Sequence, residues 1–143
     1  MASGGGQGGR RNHAIGSMQA RNLRDERVKA AFAMAPGDIQ GFGMDAAGLR
    51  QMAIPTYVIL GAGDTTTPPA ENGEFAARHI PEAQFELLPG PVGHEIFTNQ
   101  CDQLGQDNFP EGCRDAPGVD RASLHDHIGE AALRFFEANL QVR

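Results

Sequence analysis

Lysine is almost missing from this chain: Lys29 stands alone against eleven scattered arginines, and the formal net charge is −6. Without a basic stripe there is no footprint for a nucleic-acid partner. No apolar run approaches the ~20 residues that a membrane-spanning helix needs, so no membrane span is expected. The first residues contain neither a charged segment nor an apolar one of the kind that directs export, which leaves the compartment open. Cysteine is limited to Cys101 and Cys113.

What is present describes one globular domain: 143 residues, 40% hydrophobic and 21% charged. Part of that length is not core. Five glycines fall between Ser3 and Gly9, and the stretch Met1 to Asn12 has too few apolar groups to offset the entropy of ordering it. Ala14 to Leu23 is only loosely helical in spacing. Residues 1–23 therefore read as a glycine-rich tail and a poorly defined segment, and residues 24–143 as the folded part.

Three short apolar runs in that part read as strands. Val28 to Ala35 is almost continuously apolar and is stopped by Pro36-Gly37, as expected of a strand covered on both faces. Thr56 to Ala62 is rich in β-branched residues and ends in Gly63-Asp64, and Ala83 to Leu88 reads as a strand nearer the sheet edge, ending at Pro89-Gly90-Pro91. Thr67 is placed to cap a helix with Pro68 or Pro69 in its first turn and Phe75, Ala76, His79 and Ile80 facing inward. Asp120 is placed to cap a second helix, in which Leu124, Ile128, Ala131, Phe135 and Leu140 form an apolar face. A polar loop is expected between Phe97 and Val119. Strands alternating with helices predict an α/β fold, a mainly parallel sheet with flanking helices.

In such sheets functional groups gather at the carboxyl ends of the strands. Asp64 follows one strand and His94 the next, so both can reach the same sheet edge. An acid and then a histidine, in that chain order, is the back half of a Ser–Asp–His triad on an α/β sheet. The imidazole would take a proton from the nucleophile, and the carboxylate would fix its tautomer. Asp38, after the first strand, is a rival for the acid. Taken singly, Asp64 reads first as a helix cap or turn former and His94 as a surface-loop histidine.

The pieces RVKAAFAMAP, IPTYVILGAGDTTTPPAEN, IPEAQFELLPGPVGHEIF and CRDAPGVDRASLH resemble the C-terminal half of an α/β-hydrolase of the dienelactone-hydrolase-like or acetylhydrolase-like group, over about Arg24 to Leu140. The most specific are Gly61-Ala62-Gly63-Asp64 with Pro68-Pro69, and Gly90-Pro91-Val92-Gly93-His94. The resemblance implies a partial α/β-hydrolase fold, Asp64 as acid, His94 as base, hydrolysis of a small-molecule ester, and no cofactor or metal.

The nucleophile departs from the pattern. An elbow of the form G-x-S-x-G belongs upstream of the acid. Ser3 supplies S-x-G, but Met1 stands where the first glycine belongs, and Ser17 lacks both glycines. Ser3 is the better candidate. Either the chain continues a longer gene upstream, or it is a remnant without catalysis that acts as a binding or self-associating module through an exposed sheet edge. Cys101 and Cys113, twelve apart, are read either as a disulfide, which secreted members of the group make plausible, or as free thiols. A zinc site from these two with His125 and His127 would need unusual ligand spacing. Both histidines are expected to be exposed. Arg114-Asp115 and Asp120-Arg121 are expected to brace the His94 loop.

Overall fold

A computed structural model describes residues 25–37 and 45–140. Ser3, Ser17, Asp38 and the Ala14 to Leu23 segment lie outside the described residues. Three parallel strands, β1 (Ala31–Met34), β2 (Thr56–Gly61) and β3 (Gln84–Leu88), form a sheet in the order β1-β2-β3. Helices α1 (Ala46–Leu49) and α2 (Gly73–His79) connect them, and α3 (Gln103–Asn108), α4 (Pro110–Cys113) and α5 (Arg121–Asn139) follow. The chain is thus an α/β structure, a small parallel sheet with flanking helices.

The central strand explains the architecture. Val58, Ile59 and Leu60 are essentially inaccessible to solvent, because alternate side chains enter different cores. Val58 and Leu60 join Ala35 on the face that α2 covers, with Ala77 packed against them. Ile59 belongs to the opposite face, clustered with Leu88, Val92, Ile96 and Ile128 of α5. On this face Phe32 stacks on Tyr57 at 4.8 Å, and the Phe135 ring of α5 meets Tyr57 edge-on at 5.7 Å. Helix α5 begins where the sequence predicts. Asp120 accepts from the Ser123 amide, and Ile128, Ala131 and Phe135 are buried.

Several elements differ from the sequence reading. Strand β1 is shorter than Val28 to Ala35. Its pairing starts at Ala31 opposite Thr56, because the residue before Thr56 is Pro55, which has no amide to extend the ladder. At its other end Ala35 takes a left-handed backbone conformation, φ +40°. Nor is β1 covered on both faces: Met34 is 51% exposed. Among the described residues strand β3 lies at an edge of the sheet, as expected. Thr67 caps no helix. A 3₁₀ turn at Pro69–Glu71 precedes α2, and no side chain caps it. Ala76 and Ile80 are buried as predicted, with Phe75 packed against them.

The polar loop after Phe97 is also not a plain loop. It folds into α3 and α4, and a disulfide joins Cys101 to Cys113, with Cα atoms 5.6 Å apart. Replacing both cysteines by serine is expected to cost roughly 3 kcal/mol, the chain-entropy value for a loop of this length. Equilibrium urea unfolding would check this, as would the wild-type protein with added reductant. Among the described residues no helix is long and apolar enough to cross a membrane.

His127 and Glu86 form an unforeseen link between α5 and β3. Glu86 accepts from Tyr57 Oη and is bonded by His127 Nε2, both at 2.5 Å. Burial raises the Tyr57 pKa, and the adjacent Glu86 carboxylate raises it further, to about 12. A phenol raised above its ordinary value of about 10 contributes stability that is complete below pH ~10 and lost as pH climbs through ~12. Alkaline unfolding followed by circular dichroism should therefore steepen across that window, and Tyr57→Phe should remove the steepening.

Candidate active site

The carboxyl end of β2 and the segment after β3 meet because two glycines let them. A Cβ on Gly61 would lie 2.1 Å from the Val92 carbonyl oxygen, and one on Gly63 would lie 2.9 Å from the Pro91 carbonyl carbon. Any larger residue at Gly61 would push the strand end and this segment apart. With glycine there, the Ala62 amide donates to the Leu88 carbonyl and the Gly63 amide to the Val92 carbonyl, each at 2.9 Å. Gly90, at φ +78°, makes the turn between the two prolines. The chain then enters a 3₁₀ turn, His94–Phe97, anchored by the buried Ile96.

This docking brings Asp64 and His94 together. His94 Nδ1 lies 2.8 Å from Asp64 Oδ2. The Asp64 side chain is fully buried, while that of His94 is 30% exposed. An ionised carboxylate can only accept, so Nδ1 carries the proton and Nε2 is left as the basic atom of the neutral ring. Among the described residues Nε2 accepts no hydrogen bond, and the ring's exposure leaves it open to an approaching group.

Asp64 is satisfied on both oxygens. Oδ1 accepts the amides of Thr66 and Thr67 at 2.9 and 2.8 Å, and Oδ2 accepts the Thr67 hydroxyl at 2.8 Å as well as the imidazole N–H. Burial alone would push this carboxyl up. The Thr67 amide, the His94 ring and the Thr67 hydroxyl outweigh burial and hold it below the usual carboxylate range. The turn-forming role and the histidine-partner role weighed for Asp64 thus both occur, one on each oxygen.

Sequence reasoning missed Thr67, whose side chain it assigned to a helix cap. A signal was there: an Asp followed by Thr at the second and third positions is suited to accept backbone amides in a local turn. The brace was only partly foreseen. Arg121, buried in α5, binds Asp115 through two nitrogens at 2.8 and 2.9 Å. It also donates to Gly112, Thr98 and Asn99 carbonyls and to the Thr98 hydroxyl. Thr98 and Asn99 directly follow the His94 turn, so this arginine ties that turn to α4 and α5. Asp120 serves α5 as its cap.

The zinc set is not assembled. Both sulfurs are in the disulfide. His125, expected to be exposed, is half-buried with Nε2 bonded to the Ile96 carbonyl at 2.6 Å. His127 is turned to Glu86.

No protein-family model and no curated protein matches the chain. Among solved structures it is similar to bromoperoxidase from Bacillus anthracis, with 22% identity and a TM-score of 0.41. That match covers 64% of this chain and 24% of the bromoperoxidase chain, so this chain spans about a quarter of the length of the protein it matches.

Proposed function

We propose that residues 24–143 are the acid–base half of an α/β-hydrolase that cleaves carboxylic esters, of the dienelactone-hydrolase-like kind, with His94 as general base and Asp64 as its orienting carboxylate. The observation that carries this reading is the 2.8 Å bond from His94 Nδ1–H to a fully buried carboxylate at the carboxyl end of a parallel sheet. In this chemistry His94 Nε2 takes the proton of a hydroxyl nucleophile as its oxygen attacks the acyl carbon. Asp64 stabilises the imidazolium, which then protonates the departing alcohol, and water releases the acid by the same steps. The reaction calls on no metal or organic cofactor. Ser3 is the candidate nucleophile that the sequence offers.

The disulfide supports an oxidising compartment, since such bonds persist there and are reduced in the cytosol. A second reading is favoured by one observation. Among the described residues strand β1 has a neighbour on one side only, and Met34 within it and Val28 before it are half-exposed. A bare strand edge with apolar neighbours invites pairing with a second copy.

Hydrolysis of a p-nitrophenyl acyl ester by the purified chain separates the two. The first reading expects turnover that His94→Ala abolishes and that Ser3→Ala abolishes too. Turnover indifferent to His94→Ala would sink the pair's catalytic role. No turnover, together with a dimer on size-exclusion chromatography, favours the self-associating module.

A further inference from the structure

Three strand ends converge on one hydroxyl. Thr67 Oγ1 donates to Asp64 Oδ2 at 2.8 Å and lies 3.1 Å from His94 Nδ1, itself 2.8 Å from the same Oδ2. The imidazole N–H is therefore shared between the carboxylate and the threonine oxygen, while the threonine O–H competes with it for Oδ2. The third strand end is that of β1. A Cβ built on Gly37 would lie 2.3 Å from the Thr67 methyl, so the backbone there packs against that methyl. The chain reaches this place through Ala35, whose left-handed φ of +40° a side chain rarely adopts. Strained backbone of this kind clusters at functional sites, where the surrounding structure has to hold it.

We propose that Thr67 is a positioning residue for the Asp64–His94 pair: its hydroxyl, held in one rotamer by the end of β1, shares Asp64 Oδ2 with the imidazole N–H and sets the direction and strength of that bond. Two donors on one oxygen divide its lone pairs, so neither bond is as strong as a single one would be, and the ring is confined to the orientation that suits both. The methyl against Gly37 keeps the hydroxyl from turning away. Asp64 is the charged group bonded to the ring. Glu95 follows His94 in the chain, and from α5 His125 and Arg121 reach the carbonyls of Ile96, Thr98 and Asn99 and not the ring. This inference rests on the reading of Asp64 and His94 as a catalytic pair, but it concerns a bond that can be measured without turnover.

The test is NMR on the full chain labelled at histidine nitrogen and aspartate carboxyl carbon. Thr67→Val keeps the shape and removes the donor. The His94 Nδ1–H proton is then expected to move downfield, because it becomes the lone side-chain donor to Oδ2. The midpoint of the Asp64 carboxyl titration is expected to move up, because the carboxylate has lost a donor. Thr67→Ser, which restores the hydroxyl, should return both signals towards wild type, and Gly37→Ala should shift them in the direction of Thr67→Val. Unmoved signals in Thr67→Val overturn the proposal. So does a Thr67→Ser protein shifted as far as Thr67→Val, since shape and not the hydroxyl would then be responsible. Unmoved signals in Gly37→Ala overturn the holding role of β1. If Thr67→Val fails to fold by circular dichroism, Thr67→Ala is read by the same criteria. An ester assay that fails leaves these signals as they are, and signals that do not move leave the ester reading intact.

Discussion

Asp64→Asn is expected to lower ester hydrolysis by about 10⁴-fold while leaving the chain folded. The amide keeps an oxygen for the Thr66 and Thr67 backbone amides, so the local turn survives. What it loses is the acceptor facing His94. An amide nitrogen in place of Oδ2 donates to Nδ1, which forces the ring proton onto Nε2, the atom that takes a proton from the nucleophile in the proposed reaction. Thr67 Oγ1 can turn and accept from the new amide instead of donating to it, which limits the cost to stability. The check is the initial rate on a p-nitrophenyl ester with circular dichroism of the same sample. A loss of less than tenfold in a folded protein would show that the imidazole does not depend on this carboxylate. The acid limb of stability should change as well. Wild-type Asp64 is held below its ordinary range, so it contributes stability above pH ~4 that is lost as pH falls through its lowered folded value. Asparagine removes that dependence.

Arg121→Met is expected to cost about 3 kcal/mol or more, the penalty for leaving one partner of a buried ion pair behind. The Arg121 side chain is 6% exposed and that of Asp115 21%, so the carboxylate left behind is poorly hydrated. Its paired contact through Nε and Nη2 is lost, and three carbonyls lose a donor with it. Lysine is no substitute, since an ammonium on a flexible stem cannot present that fork. Equilibrium urea unfolding measures the loss. A change below ~1 kcal/mol would mean that water replaces the guanidinium at this site. Because Thr98 and Asn99 lie next to the His94 turn, the same variant should also lower ester turnover in the protein that remains folded.

Much of this was legible in residue order alone. The β-branched run Thr56 to Gly61 could scarcely be anything but a buried strand, and Asp120 followed by apolar residues at helical spacing marked α5 from its first turn. Asp64 and His94 could be assigned to one sheet edge because each comes within a few residues of a strand's end and parallel strands end on the same side. Residue order could not show the limits of β1. Those depend on where β1 meets β2, at Thr56, and on the proline just before it, which cannot extend the ladder. Nor could it show that the polar stretch after Phe97 folds into two short helices bracketed by a covalent bond between Cys101 and Cys113.

The sequence by itself determined the class of structure and the side of the sheet on which chemistry could occur, since periodicity and chain order act locally and repeat along the chain. Only the tertiary structure decided which atoms meet. Thr67 and His94 are 27 residues apart and Glu86 and His127 are 41 apart. No local spacing specifies contacts over such separations, because they depend on how closely strand ends and helices approach. At the site that approach is set by the close packing at Gly61 and Gly63, which brings His94 to Asp64, and at Gly37, which brings the end of β1 onto Thr67.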